Sequence, residues 1–262
     1  MPETLLRLTN VNTYYDQIKE KFTEVVGESL VDLKRRYQRE SNIGNLVSDS
    51  MREVTKADIA FMNSGGIRMD IPKGKITLEQ VYTLLPFDNN LVTMNLTGAQ
   101  ILEILEHNAR MEQGFLHASG LTVRYDVSES EGSKVKEVYV GEKPLHRETI
   151  YTVTTIDFLA AGGDAYTTFK KGYNILYGTN LRDIFISYLK KHSPVSSRIE
   201  GRIIVNTGKE SSKFHDKRMD VPRINLFDLQ PQFYSFLRFT GEKYKPVGNI
   251  ANVCSYLGIL TM

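Results

Sequence analysis

Ile59-Ala60-Phe61-Met62, led by Asp58, is a short apolar run that breaks directly into Asn63-Ser64-Gly65-Gly66. Such a run reads as a buried strand, and the loop that ends it carries glycines able to take positive φ or to let a ligand approach the backbone closely. A buried strand needs cover, and the flanking text supplies both helices and strands. Ser41-Asn42 precedes Ile43, Leu46, Val47 and Met51 at helical spacing, so Ser41 or Asn42 is the N-cap of a helix. Thr77-Leu78-Glu79-Gln80 opens a second helix, with Thr77 and Gln80 as reciprocal capping-box partners. Leu91 to Leu96 alternates as a strand, and Thr97 caps a helix running through His107.

From Leu121 the texture changes to short strands, at 121–126, 135–140 and 150–155, with Gly132 and Gly141 in the turns between them. Residues 157–161 are a short turn or helix that enters Gly162-Gly163-Asp164. A last helix covers 181–191. Strands and helices that intersperse without strict alternation predict an α+β (mixed α/β) domain. At the N-terminal side, residues 5–26 read as a helix that is amphipathic in its second half, through Tyr15, Ile18, Phe22, Val25 and Val26. Residues 207–262 form a tail without clean period, holding eight Lys/Arg against five Asp/Glu. The expected organisation is a hinge-like helix over 1–30, a domain over 31–206, and the tail.

Composition excludes several classes. Thirty-three Lys and Arg against 31 Asp and Glu leave a formal charge of +2, so no global field points to nucleic acid or to a membrane surface. No apolar stretch approaches the roughly 20 residues that span a bilayer. The start of the chain lacks the pattern of a signal peptide, which leaves the cytoplasm open as a compartment. The single cysteine, Cys254, precludes an intramolecular disulfide. The five histidines are scattered, with no His-x-His, and neither a Gly-x-Ser-x-Gly elbow nor a phosphate loop occurs. No catalyst is visible.

Several residues instead suit recognition. Phe87 and Phe158, both read as presented by loops, could sandwich a planar base, or fill a core. Asp164 behind two glycines suits two adjacent ribose hydroxyls, or an Asx turn. Asn89 offers an amide to a base edge or to a turn. Asn63 and Arg68 flank Gly65 and Gly66, where a guanidinium fork can take phosphate or carboxylate, or form a surface ion pair.

Four segments in this order carry a family resemblance: Glu40-Ser41-Asn42-Ile43-Gly44-Asn45-Leu46, Asp58 to Arg68, Leu85-Pro86-Phe87-Asp88-Asn89-Asn90, and Asp157 to Tyr166. From about Val31 to Ile204 the chain resembles the C-terminal, substrate-binding domain of the 5'-nucleotidase family. The resemblance implies that Phe87 and Phe158 clamp the nucleobase, that Asn89 meets its edge, that Asp164 holds the ribose, and that Asn63 and Arg68 steady the phosphate end beside Gly65 and Gly66. It also implies a nucleotide or nucleoside as partner, with hydrolysis performed by a metallophosphoesterase domain or chain outside this sequence. No cofactor is expected in this chain, and the divalent metal pair, about 3.5–4 Å apart, belongs to that missing half. A periplasmic or extracellular setting follows from the same resemblance. The isolated chain is expected to be inactive; the other reading is a standalone nucleoside-binding module or non-catalytic fragment. Three positions depart from the family pattern. Tyr37 stands where many members carry a phosphate-side arginine, for which Arg35, Arg36 or Arg39 could compensate, and Ser64 and Ala165 stand where glycines are usual.

Overall fold

The computed structural model describes residues 20–110 and 115–206. The buried run becomes β2 (Ile59–Asn63), all five residues of which are buried. It lies inside a five-stranded sheet of order β10-β4-β9-β2-β5, with β4 Asn90–Thr97, β5 Leu116–Ser119, β9 Ile150–Ile156 and β10 Tyr173–Asn180. β2 and β9 run parallel, and every other pairing in this sheet is antiparallel. A four-stranded sheet, β11-β6-β7-β8, contains β6 (Leu121–Asp126), β7 (Val135–Val140), β8 (Lys143–Pro144) and β11 (Ile203–Asn206). β1 (Val25–Ser29) pairs with β3 (Gly74–Thr77).

Helix α1 (Asn42–Thr55) packs on β2 and β5 through Ile43, Leu46, Val47 and Met51, so the predicted helical spacing is the buried face. Ser41 is its cap: the hydroxyl accepts from the Gly44 N–H at 3.0 Å. The capping box of α2 (Leu78–Leu84) forms as read, Thr77 and Gln80 each accepting from the other's backbone N–H. Thr97 and Gln100 make the same reciprocal cap on α3 (Gly98–Asn108). The one-turn α4 (Asp157–Ala160) and α5 (Leu181–His192) complete the helices used below.

The predicted helix over 5–26 requires correction at its end. Helical structure stops at Phe22, and Val25 and Val26 belong to β1; residues 5–19 lie outside the described part. The periodic apolar positions misled because β1 alternates too, burying Val26 and exposing Val25 against its antiparallel partner β3. β10 was invisible to pattern reading for the opposite reason. Seven of its eight residues are exposed at the edge of the sheet, so no in–out alternation marks it.

Candidate functional site

The topology gathers three of the four motif segments, 58–68, 85–90 and 157–166, at one edge. Parallel β2 and β9 end there, at Asn63 and Ile156, and antiparallel β4 begins there, with Leu91 opposite Ile156. The loop 85–89 therefore enters β4 where β9 runs into α4. Asp157 ties the two together: its Oδ2 accepts from the Asn90 N–H at 3.1 Å, and its Oδ1 accepts from the Phe158 N–H at 2.8 Å.

Phe87 and Phe158 are not core residues; they stand 50% and 45% exposed, an unusual state for two phenylalanines on one edge. Phe158 is not presented by a loop as read. It sits in the first turn of α4, and its ring rests on the backbone of Gly163, where an added Cβ would come within 2.5 Å of the ring. Gly163 is thus a glycine because the aromatic ring occupies the volume of a side chain.

Asp164 is half-buried and adopts φ 50°, ψ 29°, and Ala165 follows at φ 62°. Two consecutive non-glycine residues in the left-handed region store strain of about 1–2 kcal/mol each. The Asp164 carboxylate does not close an Asx turn. Its Oδ2 accepts from Asn63 Nδ2 at 2.7 Å, linking the Gly-Gly-Asp loop to the end of β2, and its Oδ1 has no partner among the described residues. From behind, His107 Nε2 lies 3.0 Å from the Asp164 carbonyl oxygen. Replacing Ala165 with glycine removes one strained residue and is expected to stabilise the chain by about 1 kcal/mol in urea unfolding. A loss of stability would show that the Ala165 methyl packs more favourably than its backbone is strained.

Asn63 and Arg68 sit either side of a short 3-10 turn, Ser64–Gly66. Neither Gly65 nor Gly66 has positive φ, so conformational freedom does not explain them. Close approach explains Gly66, since a Cβ there would run into the Met62 methyl and come within 2.9 Å of Asn63 Oδ1. At Gly65 the nearest atom to such a Cβ is Asn63 Nδ2 at 3.5 Å, which leaves that side of the turn open. Arg68 donates from Nη1 to the Gly65 carbonyl at 3.0 Å, and its guanidinium carbon lies 6.0 Å from the centre of the Phe87 ring, at the outer limit of a cation–π contact. Arg68 therefore joins the Gly-Gly turn to the Phe87 loop. The Asn89 side-chain amide makes no hydrogen bond among the described residues, while its carbonyl accepts from Leu181 N–H at 2.9 Å.

One residue that shapes this edge went unread. Arg182, on α5 and 7% exposed, donates from Nη1 to the carbonyls of Leu85, Pro86 and Phe87 at 3.2–3.3 Å and from Nη2 to Asp88 Oδ1 at 2.8 Å. Its guanidinium also stacks 4.8 Å from the Tyr82 ring centre. Asn180 adds a bond from Nδ2 to the same Asp88 oxygen at 2.6 Å. Nearly a hundred residues of sequence separate this clamp from its loop, and no local motif announces it.

Among the described residues no three His, Cys, Asp or Glu side chains come together to hold a metal ion, and no helix is long and apolar enough to cross a membrane. Glu40, in the first motif, is spent on structure: its carboxylate accepts from Asn45 Nδ2 and from the Glu200 N–H, both at 2.7 Å.

Comparison with known proteins identifies the family and the fold. The family model for the C-terminal domain of 5'-nucleotidases matches residues 22–171. The chain is 33% identical to an apyrase of Tabanus yao over 78% of its own length and 42% of the relative's. It is 30% identical to a venom 5'-nucleotidase of Macrovipera lebetinus, over 78% of this chain and 57% of that one. Among solved structures, a 5'-nucleotidase precursor from Thermus thermophilus superposes with a TM-score of 0.69 at 37% identity, covering 77% of this chain and 43% of the other. The chain spans less than two thirds of the length of each of these relatives. Motif order, fold and these similarities converge: the chain belongs to the 5'-nucleotidase family of hydrolases and carries that family's C-terminal domain.

Proposed function

We propose that this domain recognises a nucleotide or nucleoside and presents its phosphate to a metallophosphoesterase domain or chain that is not part of this sequence. The observation that carries the reading is the junction of Asn63 with Asp164 at 2.7 Å, on the same strand edge from which the exposed Phe87 and Phe158 rise. Phe87 and Phe158 stack on the base, and Asn89, whose amide is unengaged, meets its edge. Asp164 takes the ribose hydroxyls with the carboxylate oxygen that Asn63 leaves open. Arg68, steered by the Gly65 carbonyl, carries positive charge toward the phosphate end. The chemistry these residues perform is orientation: the substrate is held so that a developing charge meets metals supplied from elsewhere.

An edge of this kind is half a site. Two phenylalanines half exposed to water are understandable when a second domain closes over them, and the isolated chain is then without phosphatase activity. The venom relative supports an extracytoplasmic setting, periplasmic or extracellular. No observation favours the standalone nucleoside-binding module over this reading.

Calorimetric titration of the chain with adenosine and with AMP tests the proposal, beside a phosphatase assay with added divalent metal. Both ligands are expected to bind without turnover. Phe158→Ala is expected to weaken binding by about 2 kcal/mol, roughly thirtyfold, the worth of one stacked face. If neither ligand binds the wild-type chain, the clamp assignment fails.

A further inference from the structure

On the far side of the Gly162–Ala165 loop lies a cavity of about 530 Å³, walled by α3, the β6–β7 turn and residues 165–168. Its volume is that of a small-molecule pocket. None of Phe87, Phe158, Asn63, Arg68, Asn89 or Asp164 lines it, so it is separate from the nucleoside edge.

Its charges are unevenly satisfied. Each of the three acidic side chains has its partners. Glu103 accepts from Lys171 Nζ at 2.7 Å, and Glu131 pairs with Arg110 at 3.4 Å. Glu106 accepts from the backbone N–H groups of Val135 and Lys134 at 2.9 and 3.2 Å, which fixes the start of β7 against α3. The side chains of two cations of the same wall, Lys134 and Arg147, make no hydrogen bond or ion pair among the described residues, although the backbone of each is bonded. Lys134 is half-buried, which already restricts its hydration. The wall holds three cations, Arg110, Lys134 and Arg147, against three carboxylates, and of the three cations only Arg110 pairs with a carboxylate among the described residues.

The geometry points to a second ligand site here, one that takes a small molecule through an anionic head group, phosphate or carboxylate, held between Lys134 and Arg147. Those two side chains supply the donors: an ammonium as a point charge and a guanidinium with a planar fork that matches an oxyanion. Leu102, Val135 and the Ala165 methyl give the rest of the molecule an apolar surface. The inference stands independently of the nucleoside reading, because it uses none of that site's residues.

Calorimetric titration of the full chain at low ionic strength with inorganic phosphate, and separately with malonate, tests it. Saturable binding of either anion is expected, and which of them binds identifies the head group. The double variant Lys134→Ala/Arg147→Ala is expected to bind about tenfold more weakly or worse, a difference of roughly 1.4 kcal/mol. Phe158→Ala is expected to bind the anion like wild type. Arg147 is exposed and Lys134 half-buried, and an unchanged melting temperature confirms that the double variant is folded. Absence of saturable binding by either anion overturns the proposal, as does equal binding by the double variant. Loss of anion binding in Phe158→Ala overturns it too, by assigning the anion to the nucleoside edge.

Discussion

Arg182→Met lowers the unfolding free energy by about 3 kcal/mol and weakens adenosine binding together with it. Methionine keeps the apolar length of the side chain but removes the guanidinium that four acceptors of the Phe87 loop share. Hydrogen bonds from a charged donor are worth about 1.5–3 kcal/mol, and the loop carbonyls, turned inward toward Arg182, lose their partner in a buried place. Asp88 is largely exposed and returns to water, which keeps the loss from growing further. The functional part of the expectation follows from position. Arg182 touches the backbone of Phe87 and not a ligand, so it is a positioning residue. Its loss frees the loop and makes ordering it a cost of binding, about tenfold in affinity. Arg182→Lys restores the charge without the fork and is expected to fall between wild type and Arg182→Met on both measures. Urea unfolding read beside adenosine calorimetry decides it. An unchanged affinity in Arg182→Met, with affinity lost in Phe87→Ala, would show that the loop holds its shape without the clamp.

The second large effect is on the pH dependence of stability. His117 lies on β5 under α1, 1% exposed, with Nε2 3.4 Å from the Ser41 hydroxyl and Nδ1 without a partner among the described residues. Gly44 is a glycine because the imidazole ring fills the space of its side chain. Burial pushes the His117 pKa down from 6.5 to about 4. The unfolded chain therefore binds a proton between pH 6.5 and 4 that the folded chain refuses. Stability is complete above 6.5 and falls as the pH drops toward 4, by about 3 kcal/mol in all. Urea titrations at pH 7, 5.5 and 4 should show this loss, and His117→Gln should flatten it within that window. The lowered carboxyls of Asp32, Glu53 and Asp126 act in the same direction but at lower pH, so the comparison of the two proteins isolates the histidine. A slope as steep in His117→Gln as in wild type would remove His117 as its source.

The elements that could be read directly are those whose cause is local. Ser41, Thr77 and Thr97 cap helices because each satisfies an N–H three residues away. The strand at 59–63 and its break at Gly65 follow from apolar content and glycine alone. The four motifs that carried the family resemblance are local in the same sense, and comparison with known proteins agreed with them over residues 22–171. Local pattern went wrong where two periods coexist, at Val25 and Val26, and was silent for an exposed edge strand, β10.

Sequence order thus determined the family, the fold class, the capped helices and the residue types offered for recognition. Tertiary structure decided how they are used. It turned Asp164 toward Asn63 rather than onto its own backbone, set the Phe158 ring on Gly163, and bound the Phe87 loop to Arg182 from another helix. It also placed a histidine with no sequence signal beneath Gly44. The reason is physical: a cap or a buried strand is settled by neighbours a few residues away, whereas the Asn63–Asp164, Phe87–Arg182 and Gly44–His117 contacts join groups 101, 95 and 73 positions apart along the chain and exist only once the sheet has assembled.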